Sequence, residues 1–348
     1  MLTELTVSIV SDVKTRRLRL DRRPLLDTGP DAELFVGREA ELTRLQRAVE
    51  LGLNAVVVGE PGTGTSSLLR HLAWSMRSRK LAAPIQVGAA AAEDVPTLLR
   101  GVLRRVAGDE AAAVAQIGAL DAAALLDRLG RALPRGAIVL LDDLPAGLGR
   151  LLFGSLRDEV WRLGAQWVVA ATSAAADDLL RPPVDAFFEN VLRLGPLSAV
   201  EARKMLRRRG VELTKADAAV LTELSGGVPR RLVDLARALV EDGRTPAELA
   251  AESDAASQRL AEVSDSARAL VAVLRDLGAS SPSDPALQQR MQVTRPRLVA
   301  LFTELRDAGL VVEATPDRTG SARTGRPRQR WVLTGTVGAP VHADPNAF

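Results

Sequence analysis

The chain has no cysteine and no tyrosine, only two histidines, and only four lysines among its 348 residues. Without cysteine there is no disulfide framework and no thiolate metal site, which fits a reducing cytosol. His71 and His342 do not suggest a metal centre. No apolar run approaches the roughly 18 residues a membrane span needs. The N-terminal apolar patch carries Glu4 and Asp12 and does not read as a signal peptide. A cytoplasmic protein without a membrane partner is the expectation. Aromatic residues make up 3% of the chain, and Trp74, Trp161 and Trp167 read as core rather than as base-stacking platforms.

Hydrophobic residues make up 47%, enough to bury real cores, and the length suggests about two or three domains. Because lysine is so scarce, 42 of the 46 basic residues are arginine. The net charge is +3, but the positive charge is clustered in KTRRLRLDRR (Lys14 to Arg23) and in DRTGSARTGRPRQR (Asp317 to Arg330). Such clustering points to a polyanionic partner more than the total charge does.

The chain is organised around NAVVVGEPGTGTSSLL, Asn54 to Leu69. Val56 to Val58 form a buried strand by composition, and Ser66 and Ser67 open a helix. Between them Gly59, Gly62 and Gly64 let the backbone curl, so that amides from Gly62 through Thr63, Gly64, Thr65 and Ser66 face a phosphate chain beside the positive helix end. The spacing matches G-x-x-x-x-G-K-[ST], except that the lysine position holds Thr65.

Further strands are expected at Pro84 to Gly88, Ala137 to Leu144, Gln166 to Ser173 and Asn190 to Leu197, alternating with helices. The fold class that follows is α/β, a P-loop NTPase parallel sheet covered on both faces. An α-helical lid and a winged helix-turn-helix come after it. The division reads as a basic N-terminal extension (1–34), a nucleotide-binding domain (35–196), a lid (197–250), a linker (251–264), a winged-helix domain (265–335) and a tail (336–348). Ser198 with Glu201 forms a capping box at the first lid helix. The extension reads as a solvated tail.

In such a loop Ser66 and Asp142 would hold Mg²⁺, and Asp143 stands where the base orienting an attacking water sits. Thr172 or Ser173 would position that water or the γ-phosphate. A lysine at position 65 would offset charge growing in the transition state, and Thr65 offers only a hydroxyl. Weak or absent hydrolysis of ATP is the expectation.

FVGREAEL, the altered glycine loop, LLDDL, VVAATS, LGPLSAVEA and SGGVPRR together resemble AAA+ and STAND-type P-loop ATPases. With the C-terminal winged helix, the domain order is similar to that of the origin-recognition initiator ATPases. The resemblance covers about Phe35 to Thr334. It implies ATP or ADP as cofactor, Val36 and Gly37 near the adenine, Thr172 as sensor 1 and Arg230 as the γ-phosphate-contacting arginine of sensor 2. DAFFEN, before Asn190, lacks the arginine expected of an inter-subunit finger. Thr294 to Leu305 would be a recognition helix presenting Arg295 and Arg297 to duplex DNA. The wing, with Arg323, Arg326, Arg328 and Arg330, resembles that of MarR-type regulators and suits a minor groove. Three readings stay open: a nucleotide-dependent DNA-binding protein, a pseudo-ATPase acting as DNA-binding regulator or scaffold, and a true ATPase with a substituted phosphate clamp. Self-assembly and a protein partner stay open as well.

Overall fold

The computed structural model describes residues 18–81, 83–107, 118, 120–314 and 329–334. They divide into two compact units. One comprises the described residues up to Glu212 together with Val228–Val233; the other comprises Leu213–Gly227 and the described residues from Asp234 onward.

The first unit is built on five parallel strands: β1 (Ala55–Val58), β2 (Ile85–Gly88), β3 (Ile138–Asp142), β4 (Gln166–Ala171) and β5 (Asn190–Arg193), in the order β2-β3-β4-β1-β5. Each strand is short, and the strands are rich in valine, leucine and alanine. Because successive side chains point to opposite faces, a strand covered on both sides must be apolar throughout. Val56, Val58, Val139, Leu141 and Val169 enter one core, and Ala55, Val57, Leu140, Val168 and Ala170 enter the other.

Helices α2 (Glu39–Glu50) and α3 (Thr65–Ser78) contribute Leu45, Leu68 and Leu72 to the second of these cores. Helices α4 (Val95–Ala107) and α5 (Ala122–Ala132) contribute Leu98, Leu99, Leu125 and Leu129 to the first. Between β3 and β4 the chain forms α6 (Ala146–Arg150), a π-helical turn (Leu151–Ser155) and α7 (Arg157–Arg162). Trp167 is fully buried, whereas Trp161 is 47% exposed, stacked on Phe187 and covered by the Arg157 guanidinium. The core expectation therefore fails for Trp161. Helices α8 (Ser173–Leu179) and α9 (Ala199–Arg208) follow β4 and β5, and α1 (Gly29–Ala32) is a single turn near the start.

Residues 18–34, expected as solvated tail, are packed down. Asp31 is 2% exposed and accepts hydrogen bonds from Arg19, Arg23 and the Leu26 amide. The Arg23 hydrogen bond, with those from the Leu26 amide and Arg19, holds the Asp31 carboxyl well below the usual carboxylate range against the opposing effect of burial. This strap was illegible in sequence because each arginine is 8 to 12 residues from its partner.

The second unit is helical. It contains α10 (Lys215–Ser225), the larger part of α11 (Pro229–Glu241), α12 (Pro246–Glu262), α13 (Asp265–Leu277), α14 (Pro285–Met291) and α15 (Arg295–Asp307). An antiparallel pair, β6 (Val311–Glu313) and β7 (Trp331–Leu333), completes it. The polar stretch read as a linker is α12, opened by a Thr245–Glu248 capping box and buried through Leu249, Ala256 and Leu260. Its buried face is partly alanine, which carries little hydrophobic signal. Leu270, Leu274, Leu298, Phe302 and Leu305 form the core beneath β6.

Candidate functional site

The turn from β1 into α3 is fixed by glycine where no other residue fits. A Cβ on Gly59 would lie 2.4 Å from Thr63 Oγ1, and Gly62 and Gly64 adopt φ of 93° and 103°. In that left-handed region an L side chain is strained. The Glu60 carbonyl accepts from the Thr63 amide at 3.0 Å and from its hydroxyl at 2.7 Å, which closes the loop on itself. Helix α3 starts at Thr65, so its first amides have no partner within the helix and face the cavity with the positive dipole end. Such an arrangement can hold an anion.

Strand β3 delivers Asp142 to the same place. Ser66 Oγ donates to Asp142 Oδ1 at 2.9 Å, and Arg70 Nη2 lies 3.8 Å from Asp142 Oδ2. Burial pushes the Asp142 carboxyl above its ordinary value; the Ser66 bond and Arg70 oppose this, and Asp143 adds to it. Ser66 and Asp142 fit Mg²⁺, a hard ion that needs one or two protein oxygens and takes the rest from phosphate and water. Among the described residues there is no cluster of three or more acidic or imidazole ligands, as a wholly protein-made cage would need. Asp143 follows at φ 53°, an unusual conformation for aspartate, and lines the cavity. Thr172, at the end of β4, also lines it and caps α8 by accepting from the Ala175 amide at 3.2 Å.

The cavity has a volume of about 290 Å³. The loop residues Gly59, Gly62, Thr63, Gly64, Thr65, Ser66 and Ser67 all border it, as do Val36 and Arg230. Gly37 and Asp142 do not. A Cβ on Gly37, at φ 74°, would fall 2.8 Å from Leu197 Cδ2, so that glycine serves close packing against the start of α9. Ser67 Oγ accepts from the Leu25 amide at 3.1 Å, which ties the strap to the loop helix. Arg230, in the first turn of α11, donates its backbone amide to Gly62 O at 3.3 Å, and its guanidinium has no partner among the described residues.

Two arginines escaped the sequence reading. Arg38, 5% exposed, reaches Gly195 O at 2.5 Å, Thr63 O at 3.3 Å and Glu41 at 3.2 Å, and so braces the glycine loop while itself bordering the cavity. Arg209, just past α9, is 8% exposed and borders the cavity. Burial pushes its guanidinium below the ordinary value. Neither placement had a sequence signal, since Arg38 meets the loop through backbone 25 and 157 residues away and Arg209 packs against the strap at the other end of the domain.

In the second unit Arg295 and Arg297 are exposed at the start of α15, whose Leu298, Leu301 and Leu305 are buried. Arg330 donates to Ala279 O beside the Ser280–Trp331 bridge, so its guanidinium is held at the base of the β6–β7 pair. Arg323, Arg326 and Arg328 lie outside the described residues. No helix of the described residues is long and apolar enough to cross a membrane.

No family model and no curated protein matches the chain. Among solved structures it is similar to the Orc1 protein of Aeropyrum pernix in complex with DNA, at 22% identity, covering 86% of this chain and 89% of that one with a TM-score of 0.48. The Walker-type ATPase PABY2304 of Pyrococcus abyssi is similar at 16% identity, 92% and 98% coverage and a TM-score of 0.49. The RuvB Holliday junction branch migration motor of Thermotoga maritima follows at 16% identity, 91% and 96% coverage and a TM-score of 0.44.

Proposed function

We propose that this chain is an AAA+-type nucleotide-binding protein that takes ATP or ADP with Mg²⁺, hydrolyses it weakly or not at all, and binds duplex DNA through its C-terminal unit. The observation that carries the nucleotide reading is the glycine cradle opening α3 beside the 2.9 Å Ser66–Asp142 contact. When bound, Mg²⁺ would neutralise charge on the β- and γ-phosphates. Gly62 to Ser66 would hold those phosphates through backbone amides. Asp143 and Thr172 would orient a water, and Arg230 would meet the γ-phosphate. Thr65 supplies no cation at the phosphates, which is the reason for slow turnover.

The DNA reading takes residues 265–335 as a winged helix and 197–250 as a lid. It is supported by three helices followed by an antiparallel pair, with Arg295 and Arg297 exposed on the third helix. A second reading, a pseudo-ATPase, is favoured by Arg70, whose charge near Asp142 partly replaces that of a cation. Titrating labelled ATP and labelled duplex DNA, each with and without the other, tests the proposal. Saturable ATP binding and DNA binding weakened by Arg295→Ala with Arg297→Ala are expected. ATP binding without any affinity for DNA would leave a protein-facing regulator. No affinity for nucleotide would overturn the reading.

A further inference from the structure

Arg209 is buried without the partners a buried guanidinium needs. Its Nε and Nη1 are enclosed, and neither makes a hydrogen bond. The residue is nevertheless fixed. Its carbonyl accepts from the Arg19 amide at 3.1 Å, and the preceding Arg208 donates to Glu33 O and Phe35 O at 2.7 and 2.8 Å. The nearby carboxylates are engaged elsewhere: Asp31 with Arg19 and Arg23 at 2.7 and 2.5 Å, and Asp21 with Arg23 at 3.2 Å. A buried donor or charge left unsatisfied is costly, so such a group marks a place where a ligand brings acceptors.

The charges that act most on Arg209 are Asp21, Arg19, Asp31 and Arg23, all on the strap. The glycine loop claims the phosphates, so whatever reaches Arg209 is the other end of the ligand. The same cavity has apolar walls from Pro24, Leu25, Leu34, Val36 and Met205. Apolar walls around one unsatisfied donor group describe a slot for a flat heteroaromatic ring that presents acceptor atoms on its edge. A purine offers such an edge, N7 in adenine and N7 with O6 in guanine.

We infer that Arg209 is a base-recognition residue that hydrogen-bonds the acceptor edge of a purine nucleotide held between the strap and α9. The inference rests on the nucleotide reading of the glycine loop, and the two fail differently. Calorimetric titration of the full chain with ATP, GTP, CTP and inorganic tripolyphosphate separates them. The expected result is that ATP or GTP binds at least about tenfold more tightly than CTP and tripolyphosphate. Arg209→Met should remove that preference and leave tripolyphosphate affinity unchanged. Its unliganded melting temperature should match or exceed that of the parent, because a buried unpaired cation is gone. Arg209→Gln, which keeps a donor, should retain part of the preference.

ATP, CTP and tripolyphosphate binding alike to the parent chain would overturn the base assignment and leave the phosphate cradle standing; this outcome needs no variant to fold. Equal loss of ATP and tripolyphosphate affinity in Arg209→Met would also overturn it, by making Arg209 a phosphate ligand. Absence of binding by every probe would overturn both.

Discussion

Ser66 Oγ and Asp142 Oδ1 are 2.9 Å apart, so one hydrogen bond joins the first turn of α3 to the end of β3 across 76 residues of sequence. These two oxygens are the proposed Mg²⁺ ligands. Ser66→Ala should therefore weaken nucleotide binding with Mg²⁺ by about tenfold and change it little in excess chelator. Asp142→Asn should abolish the Mg²⁺ dependence. Because burial holds the Asp142 carboxyl above its ordinary value, its charge opposes folding at neutral pH and this cost is relieved as pH falls through the raised value. Asp142→Asn should consequently melt no lower than the parent at pH 7.5. Unchanged Mg²⁺ dependence in both variants, measured by calorimetry, would remove the metal assignment.

Thr65 sets the expected rate. Lysine there would place a cation against the β- and γ-phosphates, where threonine brings only a hydroxyl. Thr65→Lys should strengthen ATP binding and raise phosphate release above that of the parent chain. A continuous phosphate assay decides it: parental turnover near 1 s⁻¹, roughly the low end for such phosphoryl transfer, would contradict the account.

The strap depends on Asp31. Its folded carboxyl lies below the usual range, chiefly through Arg23, so its contribution is complete above the unfolded value of about 4 and fades as pH falls below it. Asp31→Asn should cost about 2 kcal/mol at pH 7, the scale of hydrogen bonds to a charged group, read as a lower urea midpoint. ATP affinity should fall with it, because Leu25 and the rest of the strap wall the cavity.

Local chemistry was legible in the sequence. Short runs of valine and leucine marked all five strands to within a few residues, since a sheet covered on both faces leaves no alternation to read. Ser198 with Glu201 marked the start of α9, where both capping bonds form. The glycines of the loop announced its curl. What stayed hidden depends on distant parts meeting. Arg38 reaches a carbonyl 157 residues away, Arg19 and Arg23 converge on Asp31, and Arg209 is enclosed by a strap that looked like tail. The helix α12 was missed because alanine on its buried face has the same polarity signature as a neutral surface.

His71 supplies a pH effect of its own. It stacks on Phe35 at 4.0 Å, and burial, followed by the charge of Arg208, holds its imidazole below the ordinary value against the opposing pull of Glu39. The unfolded chain therefore takes up a proton near pH 6.5 before the folded one does, and stability falls as pH drops below that point. The melting temperature should decline more between pH 7.5 and 5.5 in the parent than in His71→Phe. Parallel curves would show that His71 is not the titrating group.

The central claim is that an intact glycine cradle without its lysine still binds nucleotide. Calorimetric titration of the purified full chain with ATP and Mg²⁺ tests it most directly. The account predicts saturable binding of one ATP per chain, lost when Gly59→Val drives a side chain into Thr63, and persisting for minutes without appreciable phosphate release. No saturable binding up to about 1 mM ATP, an affinity of only some 4 kcal/mol, would contradict it.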